Sequence, residues 1–276
     1  MSTPTQPRVA PEVQIPPVES WRQDSPIGVP EGLSALSDAA AAEELTVQRR
    51  FLNLHEVPQI SFEDARPAFP ALANTFPQEW KQQVRQLRAR LSQMQADVSR
   101  RQEHSLQVVS ICSLKAERPR HGLAANLAYM LATVQENRVL VVDSRVGQPG
   151  LGEALGLPLT QGLCEATRLK REDLPNCMRR ISGSQLYLMP TGQADTFGFD
   201  PIDLRGLHLL LHGLRTQFDW IIVDSPSFDN PADAMLMSQC ADGTLFIVER
   251  EKDNFAALSK ALGETQGRYL LGAVLV

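Results

Sequence analysis

Two aspartates that each follow a short hydrophobic run are the first candidates for chemistry in this sequence. Asp143 comes directly after the apolar residues 139–142, and Asp224 comes directly after 220–223. A carboxylate at the end of a buried strand is a common way to hold a metal ion and its water at a phosphate site. If the chain is active, Asp143 and Asp224 are therefore the predicted catalytic and Mg²⁺-binding residues.

The elements that must position these aspartates alternate along the C-terminal two thirds of the chain. Apolar runs predict strands at 107–112, 138–142, 185–189, 220–223, 244–248 and 269–276. Amphipathic stretches between them predict helices near 123–134, 204–217, 233–239 and 254–265. Fully apolar strands alternating with helices indicate a doubly wound α/β fold with a mostly parallel sheet, in which function lies beyond the carboxyl ends of the strands.

Composition divides the 276 residues into a tail and a domain. Eleven of the 19 prolines lie in the first 77 residues and eight lie in the remaining 199. Residues 1–77 are therefore expected to be a largely disordered tail and linker with a short amphipathic helix at 38–54, followed by a helix at 78–104 and an α/β domain at 105–276.

Charge and cysteine usage exclude several classes of protein. The formal net charge of −5 argues against a nucleic-acid partner, which needs a basic surface. No apolar run is long enough to span a bilayer, so no direct membrane insertion is predicted. Four widely spaced cysteines are typical of reduced thiols in a cytoplasmic protein.

The most regular segment of the chain precedes the first predicted strand of the domain. Its apolar residues recur at spacings of 4, 3, 4, 3 and 4, and they are Trp80, Val84, Leu87, Leu91, Met94 and Val98. This heptad stripe indicates a helix, with Pro77 at its start. Two interpretations stay open: a short oligomerising coiled coil, or a helix that packs the stripe on its own domain, which is the favoured one.

The order of these elements carries a resemblance to a known family. The matching segments are 124–128, the strand ending at Asp143, 151–162, 186–192, the strand and turn at 218–226, 233–234 and 241–248. Over about 170 residues the chain resembles the kinase domains of bacterial tyrosine kinases (BY-kinases) of capsule and exopolysaccharide export. More broadly it is similar to the MinD/ParA class of P-loop ATPases, and a P-loop NTPase-like fold is what the resemblance implies.

The phosphate-binding loop departs from the pattern that the resemblance implies. A Walker A loop should link Ser113 to the next helix, but the dipeptide Gly-Lys occurs nowhere in the sequence. Set against the family pattern, Lys115 falls at the signature lysine, Arg120 at the Walker lysine and His121 at the Ser/Thr metal ligand. Glu117 and Pro119 stand where glycines belong.

Each replacement in this degenerate loop has a physical consequence for phosphate binding. Pro119 has no N–H to offer a phosphate oxygen. Glu117 would repel a phosphate by about 4 kcal/mol at 4 Å and an effective dielectric constant of 20. Lys115, Arg118, Arg120 and His121 are the phosphate-binding candidates, and Arg118 and Arg120 could recover part of the attraction.

Two further positions bear on activity and assembly. BY-kinases usually carry a second acidic residue two positions after the first aspartate, where this chain has Arg145. They also carry an E-x-x-R-x-x-R oligomerisation signature, which this chain matches in part. The matching residues are Glu79, Gln82 and Arg85.

The resulting hypothesis is a BY-kinase-like regulatory or scaffold protein of exopolysaccharide or capsule biosynthesis, more a pseudoenzyme than an enzyme. Its expected partner is a membrane-embedded co-polymerase or chain-length regulator, or an active paralogue, with homo-oligomers as a further expectation. It would be cytoplasmic and reach the inner membrane through that partner. Two alternatives are an active tyrosine kinase or ATPase that binds ATP and Mg²⁺ through an unusual loop, and a MinD/ParA-like positioning ATPase.

Overall fold

The computed structural model of the chain describes residues 52–65, 78–101, 105–115, 121–133, 137–147, 150–154, 161–169, 171–193, 202–228, 231–248, 259, 261, 263 and 270–275. Of the tail and linker predicted at 1–77, residues 1–51 and 66–77 lie outside these residues. The helix predicted at 38–54 also lies mostly outside them, and its last three residues are not helical. Of the helix predicted at 254–265, three residues are described and each is helical. None of the described helices has the length and apolar character needed to cross a bilayer.

An eight-stranded sheet forms the centre of the described structure. Its strands span Gln59–Ile60 (β1), Val108–Ser113 (β2), Val139–Asp143 (β3), Arg179–Ile181 (β4), Leu186–Met189 (β5), Trp220–Asp224 (β6), Gly243–Val248 (β7) and Leu270–Leu275 (β8). Their spatial order is β1-β4-β5-β3-β6-β2-β7-β8. The six neighbouring strands β5, β3, β6, β2, β7 and β8 run parallel to one another. β4 is antiparallel to β5, and β1 pairs in parallel with β4 at the edge of the sheet.

Helices cover both faces of this sheet. They span Phe62–Ala65 (α1), Gln78–Arg101 (α2), His121–Ala132 (α3), Leu151–Ala154 (α4), Leu163–Ala166 (α5), Leu204–Leu214 (α6) and Pro231–Cys240 (α7), with a 3₁₀ helix at Arg171–Cys177. Alternate residues of β3 enter different cores: Val139 and Val141 pack with α2 and α3, and Leu140 and Val142 pack with α5 and α6. The predicted doubly wound, mostly parallel α/β fold is thus confirmed.

Two short strands at one side of the sheet, the edge strand β1 and its neighbour β4, were not predicted from the sequence. β1 lies within the segment expected to be tail and linker, where Val57 is buried and Pro58 accepts a hydrogen bond from the Arg180 amide (2.9 Å). Proline is tolerated here because it needs only to accept at a sheet edge. β4 has the sequence Arg-Arg-Ile and lacks an apolar run, so no hydrophobic pattern marked it.

The heptad stripe of α2 packs on its own domain. Val84, Leu87 and Leu91 are buried in the core cluster that also contains the apolar face of α3. At the far end of α2, the Gln95 side-chain amide donates to the Leu106 carbonyl (2.8 Å), which ties the helix to the segment entering β2. The stripe is therefore used within the fold, as the favoured interpretation predicted.

Candidate functional site

The two predicted aspartates lie side by side at the carboxyl edge of the sheet. β3 and β6 are parallel neighbours, and Asp143 pairs directly with Asp224 in their register. Both residues are almost completely buried, with 1% and 2% of their surface exposed. Adjacent parallel strands that end on carboxylates at the same level necessarily bring two negative charges together, so a compensating cation is needed.

Arg145 supplies that cation from within the chain. Its Nε lies 3.2 Å from Oδ2 of Asp224 and 3.8 Å from Oδ1 of Asp143. The arginine itself is 8% exposed, so its charge is buried together with both carboxylates. The result is an Asp–Arg–Asp cluster in which one guanidinium serves two acids.

Backbone groups of the following segment fix the Asp143 carboxylate. Oδ2 accepts a hydrogen bond from the Leu151 amide (2.6 Å), and Oδ1 accepts one from the Arg145 amide (3.2 Å). The chain passes so close that a Cβ on Gly150 would lie 1.8 Å from Oδ2, so only glycine fits there. Ser144 joins the strands from the other side, because its amide and hydroxyl both donate to the Asp224 carbonyl (3.1 and 3.0 Å).

Burial dominates the electrostatics of Asp143. Loss of water raises the pKa of its carboxyl group, and the neighbouring Asp224 raises it further, while Arg145 and the two amide donors lower it. The balance places the pKa of Asp143 at about 6, above its ordinary value of 3.8. The Asp143 carboxyl group is therefore mostly ionised at pH 7 and takes up its proton at a higher pH than an exposed aspartate does.

The strand that leads into the predicted phosphate loop lies next to this cluster. β2 pairs with β6, and the Ser113 carbonyl at its end accepts a hydrogen bond from the Phe228 amide (2.9 Å). A hydroxyl pair, Ser110 and Ser225 at 2.6 Å, joins the same two segments in the interior. The strand ends that the prediction placed together are thus brought together.

The predicted phosphate-binding residues are only partly described. Lys115 is exposed two residues beyond β2, and its carbonyl accepts a hydrogen bond from the Ser113 hydroxyl (3.1 Å). Arg118 and Arg120 lie outside the described residues. His121 begins α3, and nothing is described of its side chain. The phosphate-binding roles of all four residues stay predictions.

The predicted oligomerisation residues lie at the start of α2. Gln82 and Arg85 are exposed on this helix, away from the buried stripe. Glu79 belongs to the same helix, but its side chain is outside the described set. Two of the three side chains are therefore accessible to a partner, and their role in assembly stays a prediction.

A third carboxylate, which the sequence analysis did not single out, joins two loops at the same edge. Glu165 of α5 accepts hydrogen bonds from the amides of Gly162 (2.7 Å) and Gln193 (2.9 Å). Gly192, at φ +85°, lies against this side chain, and a Cβ there would meet Oε2 at 1.9 Å. The glycines at 162 and 192, within segments that carried the resemblance, were the available sequence signal for this close packing.

The buried cysteines offer no reactive thiolate. All four are buried and none forms a disulfide. Burial raises the pKa of the Cys164 and Cys177 thiols to about 12 and that of Cys240 to about 11. It also raises the pKa of Cys112, which lies on β2 and is hydrogen-bonded to Ser110 (3.3 Å). These thiols stay protonated at neutral pH and act as small core side chains.

The residues present do not fit the Mg²⁺ ion that a P-loop ATPase fold implies. The space between the two carboxylates is bridged by the Arg145 guanidinium, and one Asp143 oxygen is committed to the Leu151 amide. Among the described residues, no group of three or more His, Cys, Asp or Glu side chains is arranged to hold a metal ion. The buried cation of this site is the arginine.

Comparison with known proteins identifies the relatives of this fold and site. The chain is 25% identical over 178 residues to the tyrosine-protein kinase YwqD of Bacillus subtilis (strain 168), covering 63% of this chain and 73% of YwqD. It is 28% identical over 145 residues to the succinoglycan biosynthesis transport protein ExoP of Rhizobium meliloti (strain 1021), covering 51% of this chain but only 18% of ExoP. The chain is similar to bacterial tyrosine kinases.

Solved structures show the same fold. The tyrosine kinase domain of BceF superposes with a TM-score of 0.58 at 18% identity, over 84% of this chain and 96% of that domain. ParA-family and MinD ATPases are more distant structural neighbours, with TM-scores of 0.49 and 0.46. No protein-family model matches the chain. The predicted resemblance to bacterial tyrosine kinases is confirmed at the level of homology and fold.

Proposed function

We propose that this chain is a regulatory or scaffold protein of bacterial exopolysaccharide or capsule biosynthesis and export, and that it does not turn over ATP. Its homology to a tyrosine kinase and to a succinoglycan transport protein supports the biosynthetic setting. The single observation that carries the non-catalytic role is Arg145, bridging the two strand-end carboxylates.

Arg145 opposes metal binding by charge as well as by position. A divalent cation touching both carboxylates would lie close to the guanidinium. At 4 Å and an effective dielectric constant of 20, that repulsion is about 8 kcal/mol. The cation would also have to displace the guanidinium of Arg145, a residue that is 8% exposed, from its contact with both carboxylates. The cluster is thus complete without metal.

The effect of Mg²⁺ on thermal stability tests this proposal directly. Thermal unfolding of the wild type should be unchanged by 10 mM Mg²⁺, because Arg145 already occupies the position between the two strand-end carboxylates. Arg145→Gln should be strongly destabilised, since it removes the cation that contacts both buried carboxylates. Mg²⁺ should raise the Tm of this variant. Arg145→Lys, which keeps the positive charge, is the matched control and should be insensitive to Mg²⁺.

Isothermal titration with ATP·Mg and ADP·Mg completes the test on the full chain. The proposal predicts no saturable binding at micromolar concentrations. Micromolar binding that Asp143→Asn or Asp224→Asn abolishes would overturn it. So would a wild-type Tm that rises with Mg²⁺ and loses this response in Asp224→Asn.

We further propose that the exposed face of α2 and the strand-end edge dock on a membrane-embedded co-polymerase or on an active paralogue. The exposed Gln82 and Arg85 support this, since the apolar stripe of the same helix is already used in the core. Co-purification of the full chain with the cytoplasmic part of a co-polymerase from its own gene cluster tests it. Arg85→Glu should weaken capture at least tenfold, and Arg100→Glu, at the other end of α2, is the matched control. Equal capture of both variants would contradict an α2 interface.

One observation favours an active enzyme as the second candidate. Lys115 is exposed directly beyond β2, where a cation could reach a phosphate bound at the strand ends. This alternative predicts ATP-dependent phosphate release that falls sharply in Arg120→Ala and Lys115→Ala. Release at the same background level in all three proteins would exclude it.

A further inference from the structure

A row of cations runs along one flank of α2, beside its buried stripe. Lys81, Arg85 and Arg88 are four and three residues apart, so they lie on the same side of the helix. Arg85 is exposed, and Lys81 and Arg88 are half-buried. These three residues, called the basic ridge below, span about 10 Å along the helix axis.

The charges of the basic ridge are not balanced within the helix. No acid of α2 stands three or four positions from any ridge residue, whereas other ridge cations do. Like charges at these spacings repel one another and destabilise a helix. Elsewhere α2 does pair its charges, since Asp97 lies 3.3 Å from Arg100. Among the ion pairs of the described residues, none includes a ridge cation, so the repulsion within the ridge is left for a negatively charged partner to relieve.

The core fixes the direction in which the basic ridge points. Val84 and Leu87, which lie between its members in the sequence, are buried and hold α2 against the domain. Partly covered cationic side chains lay their stems along apolar surface and keep their charged ends in water. The ridge is also opposite in sign to the chain as a whole, whose formal net charge is −5. It is therefore a local, oriented and positively charged surface.

We infer that the basic ridge binds an acidic segment of a partner protein. This inference rests on the proposed docking role of α2 and adds the chemistry of the segment that docks there. A helix with acids at positions i, i+4 and i+7 presents three carboxylates over the same distance of about 10 Å. Charge complementarity of this kind mainly determines the choice of partner and the rate of association.

The number of charges favours a protein segment over a membrane or a nucleic acid. Basic clusters that bind anionic lipids contain about four to eight Lys and Arg residues, and nucleic acids require a basic surface that contacts many phosphates. The ridge has three cations in a single row on a chain of negative net charge. A protein segment with a matching number of carboxylates needs no more than this.

Binding of a labelled peptide to the full chain tests the inference. The probe is a fluorescein-labelled helical peptide with glutamates at i, i+4 and i+7, and its matched control has glutamines at these positions. Fluorescence anisotropy at about 50 mM NaCl should show at least tenfold tighter binding of the glutamate peptide. Most of this difference should disappear at about 0.5 M NaCl, because salt screens exposed charges. Equal affinity for the two peptides would overturn the inference without any variant of the protein.

Charge reversal locates the binding surface. The combined variant Lys81→Glu, Arg85→Glu and Arg88→Glu should weaken binding of the glutamate peptide at least tenfold. Thermal unfolding of each variant checks that the domain is still folded.

The matched control changes the net charge by the same amount at three exposed arginines outside the ridge. It combines Arg90→Glu, Arg100→Glu and Arg205→Glu, and its affinity for the glutamate peptide should stay within threefold of the wild type. Equal weakening in the two combined variants would show that only overall charge matters and would overturn the inference.

Two further measurements address the other occupants. Wild-type chain that binds vesicles containing phosphatidylglycerol through the ridge, but does not distinguish the two peptides, would assign the ridge to a membrane and overturn the inference. Self-association that the ridge variant abolishes, again without discrimination between the peptides, would assign it to a second copy. Failure of the proposed function has a different signature, because saturable ATP·Mg binding contradicts that proposal whichever peptide is preferred.

Discussion

Three charged side chains, Asp143, Arg145 and Asp224, share one buried position at the ends of β3 and β6. A single guanidinium cannot neutralise two carboxylates, so the cluster carries excess negative charge if both are ionised. Burial and Asp224 raise the pKa of Asp143 to about 6, so this carboxyl group takes up a proton as the pH falls just below neutral. The charge state of the site therefore depends on pH.

Asp143 should make the stability of the protein depend on pH between about 4 and 6. Its pKa is raised to about 6 in the folded state from an ordinary value of 3.8, so the folded state holds the proton longer than the unfolded state. Its stabilising contribution is full below pH 4 and is lost as the pH rises through 6, by about 3 kcal/mol at most. Urea unfolding of Asp143→Asn should lack this decline.

The exposed acid Asp97 offers the matched control for that measurement. Asp97→Asn changes a surface residue paired with Arg100 at 3.3 Å, and it should keep the wild-type pH profile. Parallel profiles for the wild type and Asp143→Asn would show that Asp143 titrates at its ordinary pKa.

At the scale of elements, α2 buries one face in the core and leaves its other face exposed. Its stripe packs against α3 within the cluster on one face of the sheet. The 24-residue helix has basic and amide side chains over much of its remaining surface. This division explains why its sequence resembles a coiled coil: any helix that buries one continuous stripe repeats its apolar residues every three or four positions.

Leu87→Ala should destabilise the domain by about 2–5 kcal/mol, because Leu87 is 1% exposed and its removal leaves a cavity. Gln86→Ala, at the neighbouring exposed position, should change the free energy of unfolding by less than about 0.5 kcal/mol. Urea unfolding gives both values, and size-exclusion chromatography gives the assembly state. A Leu87→Ala protein that dissociates without losing stability would favour the coiled-coil interpretation instead.

At the scale of the whole molecule, Asp242 connects several elements at the end of the sheet opposite to Asp143 and Asp224. Asp242 accepts hydrogen bonds from the amides of Gln107 and Val108 (2.9 and 2.8 Å), which start β2. Arg215, just beyond α6, binds both oxygens of this carboxylate at 2.6 Å. Asp242, which directly precedes β7, thereby links β7 to the start of β2 and to the end of α6.

Asp242→Asn should lower the free energy of unfolding by about 2–3 kcal/mol. The substitution removes the charge that the Arg215 fork binds, and it replaces one acceptor oxygen with an amide donor facing other donors. Asp203→Asn is the matched control, because asparagine still caps α6 well and should cost only tenths of a kcal/mol. Urea unfolding at pH 7 distinguishes them, and equal values would contradict a joining role for Asp242.

Much of the fold was predictable because buried parallel strands consist of continuous runs of apolar residues. The strands that carry Asp143 and Asp224 were found within one residue, since both of their faces are covered and every residue must be apolar. β1 and β4 were missed because strands of two and three residues are too short to show such a pattern. Their pairing depends on Arg180 and Pro58, which are ordinary surface residues when read in sequence.

The sequence by itself determined the order of strands and helices along the chain, the resemblance to bacterial tyrosine kinases, the lack of a Gly-Lys dipeptide and the presence of two strand-end aspartates. These properties follow from local residue patterns and from the rule that parallel strands end at one edge. Only the tertiary structure decided that Arg145 lies between those aspartates, and that the heptad stripe faces its own core. Both outcomes depend on which surfaces meet in space, because a side chain's charge or apolar character does not specify its partner.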